Sequence, residues 1–308
     1  MKRWMIAIGC MIIALAAGIG FAVAGRGKTA GIEEAGTEQE QTPVVEVQET
    51  AGAEESGAGR NQTQDVGSAG RSGENPESDK PETVRVENPS WDYYMEVPEE
   101  AETEPLELAV LEETKNEITD EEKWFAENGL ELPDLNDEGY SCQVHESRTA
   151  VDIIRNGETE VTLDFSDYQY ADDFLPEERE FIDQEIHSAV VREGILYLST
   201  FHYTYAESSP HTAYITAVSL EDYRVLWKTE PLTCNSLNFE MAGDVILCGY
   251  GFTAEDDYLY QVDRKTGKRI GQTPLASMAD YIIYKDGKLF VRTYHTDYIF
   301  QVTQRHVG

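Results

Sequence analysis

The sequence predicts an all-β domain of short antiparallel strands in repeating four-stranded units, carried behind a long polar N-terminal extension. Three observations predict it. An uninterrupted apolar run fills most of residues 1–24. The stretch that follows, to residue 138, is acidic and poor in large apolar residues. From about residue 149, Tyr, Val, Ile, Leu and Thr alternate with polar residues between Gly and Asp turns, the period-2 pattern of half-buried strands.

Charge excludes some functions at once. The 308 residues hold 59 acids against 24 bases, a formal net charge of −35, and most of the excess lies in residues 25–138. So negative a surface repels phosphate backbones, and no basic patch is present to release counterions, so nucleic-acid binding is not expected. Contact with anionic membrane surfaces is disfavoured for the same reason.

At the N-terminus, Lys2 and Arg3 precede a chargeless stretch from Trp4 to Ala24. About 20 apolar residues span a bilayer core as a helix, whereas a secretory h-region is usually about 7–15 long. The length favours a transmembrane anchor over residues 1–28, with the N-terminus cytoplasmic and the remainder extracellular. Ala22-Val23-Ala24 also reads as a cleavage site, which would release a secreted chain. Residues 29–104, rich in Glu, Gly, Ala, Ser, Thr, Gln and Pro, predict a disordered acidic linker that cannot bury enough surface to offset chain entropy. A protease-resistant core is therefore expected to begin between about 105 and 145. The aromatic island Trp91-Asp92-Tyr93-Tyr94-Met95 is either a docking motif or a local contact with the folded domain.

Residues 105–138 predict a helical connector. Leu106, Leu108, Val110 and Leu111 sit among glutamates, and Thr119 with Glu122 forms a capping box ahead of Lys123–Asn128, with Gly129 as the stop. Cys142, Cys234 and Cys248 lie beyond the anchor. Three cysteines make no disulfide framework, and a Cys234–Cys248 bridge stays open in an oxidising compartment.

The repeat occupies residues 139–308. Tyr258-Leu259-Tyr260-Gln261-Val262-Asp263 aligns with Tyr214-Ile215-Thr216-Ala217-Val218-Ser219, and Tyr298-Ile299-Phe300-Gln301-Val302 aligns with both. A degenerate earlier copy runs through Val151–Glu158, with Asn156-Gly157 as a hairpin turn. A second element, Gly287–His295, matches Gly243–Gly251 and Ile195–His202. Two hairpins per period of about 40–50 residues make one four-stranded antiparallel propeller blade. Pro176 followed by Glu177 and Glu178 predicts a short helix in an insertion (167–187) that interrupts the first blade.

The stretch from Tyr258 to Ile270, with Asp263 and the turn Thr266-Gly267-Lys268, resembles the repeats of the quinoprotein-type (PQQ-like) β-propeller family, as does Ile215 to Lys228 with Trp227. In that family a blade ends in an aspartate, a Thr-Gly-Lys turn and an outer strand that often bears Trp. The resemblance implies a partial or small β-propeller, and its functions span dehydrogenases, scaffolds and sensors. The chain departs from the pattern in carrying Gly271 where Trp227 stands in the preceding repeat. It also ends just after an inner strand where an outer one is expected, leaving a four-bladed closure, an open arc or a truncated product as alternatives.

Catalytic signatures are sparse. No G-x-S-x-G, H-E-x-x-H or Walker loop is present. The segment Asp134–Gly139 resembles the start of a calcium loop, but its twelfth position is His145, so an acidic turn is the better reading. His202 and His295 are repeat-equivalent, yet the middle repeat has Gly251 there, so no metal is predicted. Candidate ligand-binding residues are an aromatic row: Phe201, Tyr250 and Tyr294 at equivalent positions, with Tyr203 and Phe252 two residues beyond the first two. Exposed, such a row suits a sugar or peptide face; buried, it packs blade on blade.

These readings converge on a non-enzymatic, membrane-tethered extracytoplasmic binding or scaffold protein, without cofactor, whose partner is a protein or a cell-envelope glycan. The alternative is a secreted enzyme or enzyme subunit, such as a carbohydrate-active one, with its cleft on the aromatic-bearing end.

Overall fold

The structure is a computed structural model that describes residues 81–96, 103–171, 175–179, 181–202, 210–252 and 255–304. The expected anchor and the linker up to residue 80 lie outside the described residues, among which no helix is long and apolar enough to cross a membrane.

Three strands come first, β1 (Glu82–Arg85), β2 (Tyr94–Met95) and β3 (Glu107–Lys115), then helix α1 (Glu121–Asn128). The repeat follows as β4 (Tyr140–Val144), β5 (Ala150–Arg155), β6 (Glu158–Asp164), β7 (Glu185–Arg192), β8 (Ile195–Phe201), β9 (Tyr214–Ser219) and β10 (Val225–Lys228). It continues as β11 (Glu240–Ala242), β12 (Val245–Tyr250), β13 (Tyr258–Asp263), β14 (Arg269–Pro274), β15 (Ala279–Lys285), β16 (Lys288–Thr293) and β17 (Thr296–Thr303). These strands form four blade-like sheets: I, β1-β6-β5-β4; II, β2-β10-β9-β8-β7; III, β11-β12-β13-β14; and IV, β15-β16-β17-β3.

The repeat read from sequence maps onto this arrangement. Val218 opposes Leu196 and Val262 opposes Ile246, so the aligned segments are the corresponding strands β9 and β13 paired to β8 and β12. Asn156 and Gly157 both take positive φ (52° and 87°), the hairpin geometry their pairing predicts. The segment containing the 3-10 turns Ser166–Tyr168 and Pro176–Glu178 lies between sheets I and II, so it links two blades instead of interrupting one.

Packing is serial. Alternation puts Val151, Ile153, Val161 and Leu163 on one face of sheet I, where they meet Leu196, Leu198 and Val218 of sheet II. Sheets II and III share Tyr197, Ile215, Trp227, Ile246 and Val262. Sheets III and IV share Val245, Leu247, Leu289, Val291 and Phe300. Among the described residues no core cluster joins IV to I. The far face of IV is covered by α1 through Trp124, Leu130 and Ile283, and the far face of I bears a polar chain of His145, Asp152 and Thr162.

Two expectations for the N-terminal region are corrected. The linker expectation for 29–104 gives way, within its described part, to ordered pairing: β1 runs parallel to β6, and β2 pairs antiparallel with β10. The first part of the helical connector expected over 105–138 is instead β3, which pairs with β17 from Thr303↔Glu107 to Thr296↔Lys115. The physical reason is that β17, paired to β16 on one side, presents its other edge to β3, and an open edge must be paired or covered. The outer strand of sheet IV is thus supplied from the N-terminal side. Sheet III receives the same segment by side chain: Gln261 bonds both ways with the Leu106 backbone (2.7 and 3.0 Å). Gly271 leaves room for Pro105 there, since a Cβ at that position would sit 3.3 Å from it. One strap, described over residues 81–96 and 103–115, therefore visits sheets I, II, III and IV in order.

The helix read over 123–128 forms as α1, stopped by Gly129 in the left-handed region at φ 59°. The capping box does not form: Asp120 is the N-cap and makes no side-chain bond there.

Trp227 shows how one blade seats on the next. Its ring is buried and its indole donates to the Arg264 carbonyl at 3.1 Å. Gly267, at φ 74°, lies so near that a Cβ would fall 2.4 Å from the ring, so the Thr-Gly-Lys turn of sheet III is glycine by necessity.

Candidate functional site

The aromatic row does not share one environment. Phe201 is 0% exposed and stacks on His187 at 3.7 Å. Tyr250 is 6% exposed, packed between sheets II and III, and Tyr294 is 54% exposed on sheet IV. Phe252 is half-buried, and Tyr203 lies outside the described residues. Of the row, Tyr250 lines a cleft.

That cleft, about 730 Å³, opens between sheets II and III. Tyr258 and Tyr260 reach it because alternate residues of β13 project to one side. Their rings lie 5.5 Å apart at 36°. The strap brings Asp92 and Tyr93, and the connection after β10 brings Glu230, Pro231 and Leu232. Glu255 and Asp256 come from the turn between β12 and β13, and Arg269 comes from β14.

Hydrogen bonds fix the phenols. Tyr250 donates to Glu255 at 2.5 Å, Tyr258 to Asp256 at 3.3 Å and Tyr93 to the Thr266 carbonyl at 3.0 Å. Burial first, then the Glu255 carboxylate, raises the Tyr250 phenol above its ordinary range. Burial likewise raises Tyr260, with Arg269 pulling against it, and raises Tyr93, to which Asp263 and Glu230 add. These groups stay protonated at neutral pH and act as ring faces and hydrogen-bond donors. The single cation, Arg269, is committed: it pairs with Glu230 and lies 4.9 Å over the Tyr260 ring. The lining thus holds four carboxylates against one paired guanidinium, and no histidine, serine or cysteine among the described residues. Such a lining can stack on a flat or cationic group and hold it by charge.

The strap residues nearby are built around a second cation. Lys228 is buried, with Nζ 3.0 Å from Asn88 Oδ1 and from the Ser90 carbonyl, and 3.8 Å and 4.5 Å from the Tyr214 and Trp91 ring centres. Burial lowers its pKa well below the usual lysine range, while the two oxygens and the ring faces favour the ammonium. The aromatic island is therefore a contact with the folded domain: Trp91 covers Lys228, and Tyr94–Met95 is β2.

The remaining candidates are structurally occupied. In the acidic turn, Asp134 Oδ1 accepts from the Asn136 amide at 3.1 Å, Asn136 Oδ1 from the Val191 amide at 2.7 Å and Asp137 from the Glu193 amide at 2.5 Å. These bonds tie the turn to the β7–β8 hairpin. A second cleft of about 510 Å³, at sheets I and II, has arginines that are self-paired, Arg155 with Glu160 at 3.6 Å and Arg224 with Glu96 at 2.7 Å. A third, of about 250 Å³, lies under α1, where Arg292 pairs with Asp297 at 3.2 Å and bonds the Glu117 carbonyl.

Spacing along the chain could not have found the cleft, because three separate segments build it. The period-2 placement of Tyr258 and Tyr260 was the one local signal.

No family model and no curated protein matches the chain. Among solved structures, BamB from Moraxella catarrhalis aligns at TM-score 0.31 and 10% identity, over 56% of this chain and 61% of that one. The quinohemoprotein alcohol dehydrogenase ADHIIG from Pseudomonas putida HK5 aligns at 0.35 and 11%, over 50% and 27%. The dihydro-heme d1 dehydrogenase NirN aligns at 0.31 and 11%, over 54% and 37%. The chain thus spans less than two thirds of the length of each, and no residue of the cleft owes its reading to them.

Proposed function

We propose that the chain is a non-enzymatic extracytoplasmic binding protein, tethered through residues 1–28, that holds a cationic segment of a protein partner in the cleft between sheets II and III. One observation carries the reading: tyrosine rings from β12, β13 and the strap surround a space whose carboxylates outnumber its one, already paired, cation. Ring faces attract ammonium and guanidinium groups, and the carboxylates add a charge-assisted hydrogen bond. A glycan would use the rings but not the excess charge, so a lysine- or arginine-bearing peptide fits better. Of the lining carboxylates, Glu230 pairs with Arg269, and Glu255 and Asp256 accept from Tyr250 and Tyr258, a commitment to holding the wall that supports binding over acid–base catalysis.

The test is titration of the full chain with a trilysine peptide and, separately, with a chitin tetrasaccharide. Saturable peptide binding is expected, weakened about 2- to 30-fold by Tyr258→Ala, as loss of a cation–π contact worth about 0.5–2 kcal/mol implies. That substitution leaves net charge unchanged, so it separates the cleft from general attraction to an acidic chain. Tyr294→Ala, outside the cleft, should bind as the parent does. Equal binding by Tyr258→Ala and parent would remove the cleft from this role, and saccharide binding alone would replace the cationic ligand with a glycan.

A further inference from the structure

The II–III boundary holds two cysteines whose surroundings bring them together. Cys234 lies in the connection after β10 and Cys248 in β12, and both are fully buried. Cys248 Sγ donates to the Thr233 carbonyl at 3.5 Å. The amides of Asn235 and Ser236 both bond the Gly249 carbonyl, at 2.8 and 3.2 Å. Ser236 Oγ lies 3.7 Å from Cys234 Sγ and accepts from the Gly249 amide at 3.1 Å. The segments 233–236 and 248–249 are therefore laced backbone to backbone, and the two buried thiols share one core cluster. The bonds from Asn235 and Ser236 to Gly249, and from Cys248 Sγ to Thr233, hold the two backbones side by side, as the roughly 4.4–6.8 Å α-carbon span of a disulfide requires. Cys142 is elsewhere, on β4, with its thiol 3.6 Å from Asn136 Oδ1.

We propose that Cys234 and Cys248 are a thiol pair that closes into a disulfide in an oxidising compartment, stapling the II–III connection to β12. With a small oxidised disulfide as the oxidant, one cysteine thiolate attacks a sulfur and forms a mixed disulfide, expelling one small thiolate. The second cysteine thiolate then attacks the protein-bound sulfur and expels the other. The protein loses two hydrogens, and the oxidant becomes two thiols. Both groups are buried, and burial with the neighbouring thiol raises Cys248 well above the ordinary thiol range, so neither is a ready nucleophile in the closed fold. The bond forms during folding or through opening of the II–III boundary. Its place matters to the cleft: Leu232, two residues before Cys234 in the connection after β10, and Tyr250, two after Cys248 at the end of β12, both line it. The staple fixes the spacing of those walls whatever ligand the cleft takes.

The experiment refolds the full chain from guanidinium in detergent with a glutathione–glutathione disulfide buffer, then alkylates it under denaturing conditions and maps non-reduced peptides by mass. The expected product links Cys234 to Cys248 and carries alkyl groups on Cys10 and Cys142. Already folded, reduced protein in the same buffer should form that link at least tenfold more slowly than the refolding chain does. Full alkylation of Cys234 and Cys248, or links through Cys142 or between chains, would overturn the proposal. The parent map decides the point without a variant, and Cys248→Ala, if it folds, should show a melting temperature indifferent to oxidant.

Discussion

Asp280, the second residue of β15, illustrates a side chain whose ionisation opposes folding. Burial, only partly offset by Arg292 and reinforced by Glu121, pushes its carboxyl up to about 6. An unfolded aspartate titrates near 3.9, so between about pH 4 and 6 the folded state keeps a proton that the unfolded state has released. Stability is therefore lost as pH rises through that window, and above it the buried carboxylate is a standing penalty. Asp280→Asn should melt above the parent at pH 7.5 and with it at pH 4, as read by thermal unfolding across that range; an offset independent of pH would show that the group does not act by titration. The same scale shows what a repeat alignment can and cannot reveal. Phe201, Tyr250 and Tyr294 are equivalent along their strands, and that equivalence was legible. Their exposures run from 0% to 54% because each ring meets a different neighbour: His187, the II–III boundary, or solvent beyond sheet IV. Alignment fixes height within a blade, not what the adjoining element covers.

At the scale of elements, β3 is the clearest case of context overriding local preference. Its sequence, Glu107 to Lys115, is rich in Glu, Leu and Ala, good helix formers, and reads as helix. It becomes a strand because the open edge of β17 offers eight pairing positions and because Leu106 and Leu108 reach the apolar cluster between sheets III and IV. The strands of sheets II to IV carry their own alternation and Gly-Asp turns, so they were legible, whereas β1, β2 and β3 acquire their conformation from the edges they meet. A chain beginning at residue 117 would leave β17 and β10 as bare edges, and edges of that kind pair between molecules. Such a truncation should elute as dimers or larger species in size-exclusion chromatography, while a chain beginning at residue 81 should elute as the untruncated domain does. Monomeric behaviour of the shorter chain would mean that the strap does not protect the edge.

For the whole molecule, serial packing and the strap together define where the folded unit begins. Three of the core clusters each join two successive sheets, so the described sheets alone would be held only by neighbours, as in other repeat architectures. The strap adds contacts of a different kind. It bonds β6 by parallel pairing, β10 through Trp227↔Met95, Asp263 through Thr103, and β17 along its length. Lys228 fastens it midway, gripping Asn88 and Ser90 beneath Trp91. Composition marks residues 29–104 as one acidic stretch, and from it the resistant core was expected to start between about 105 and 145. The strap moves that boundary. Its described backbone is hydrogen-bonded at residues 82–86, 94–96 and 107–115, and cleavage requires an extended, accessible segment. Limited proteolysis should therefore remove the acidic residues that precede the strap and stall near residue 81, giving a fragment whose N-terminus, by intact mass, falls between about 70 and 82. Rapid accumulation of a fragment starting after residue 105, with the four sheets still protected, would show that the strap leaves its edges in solution.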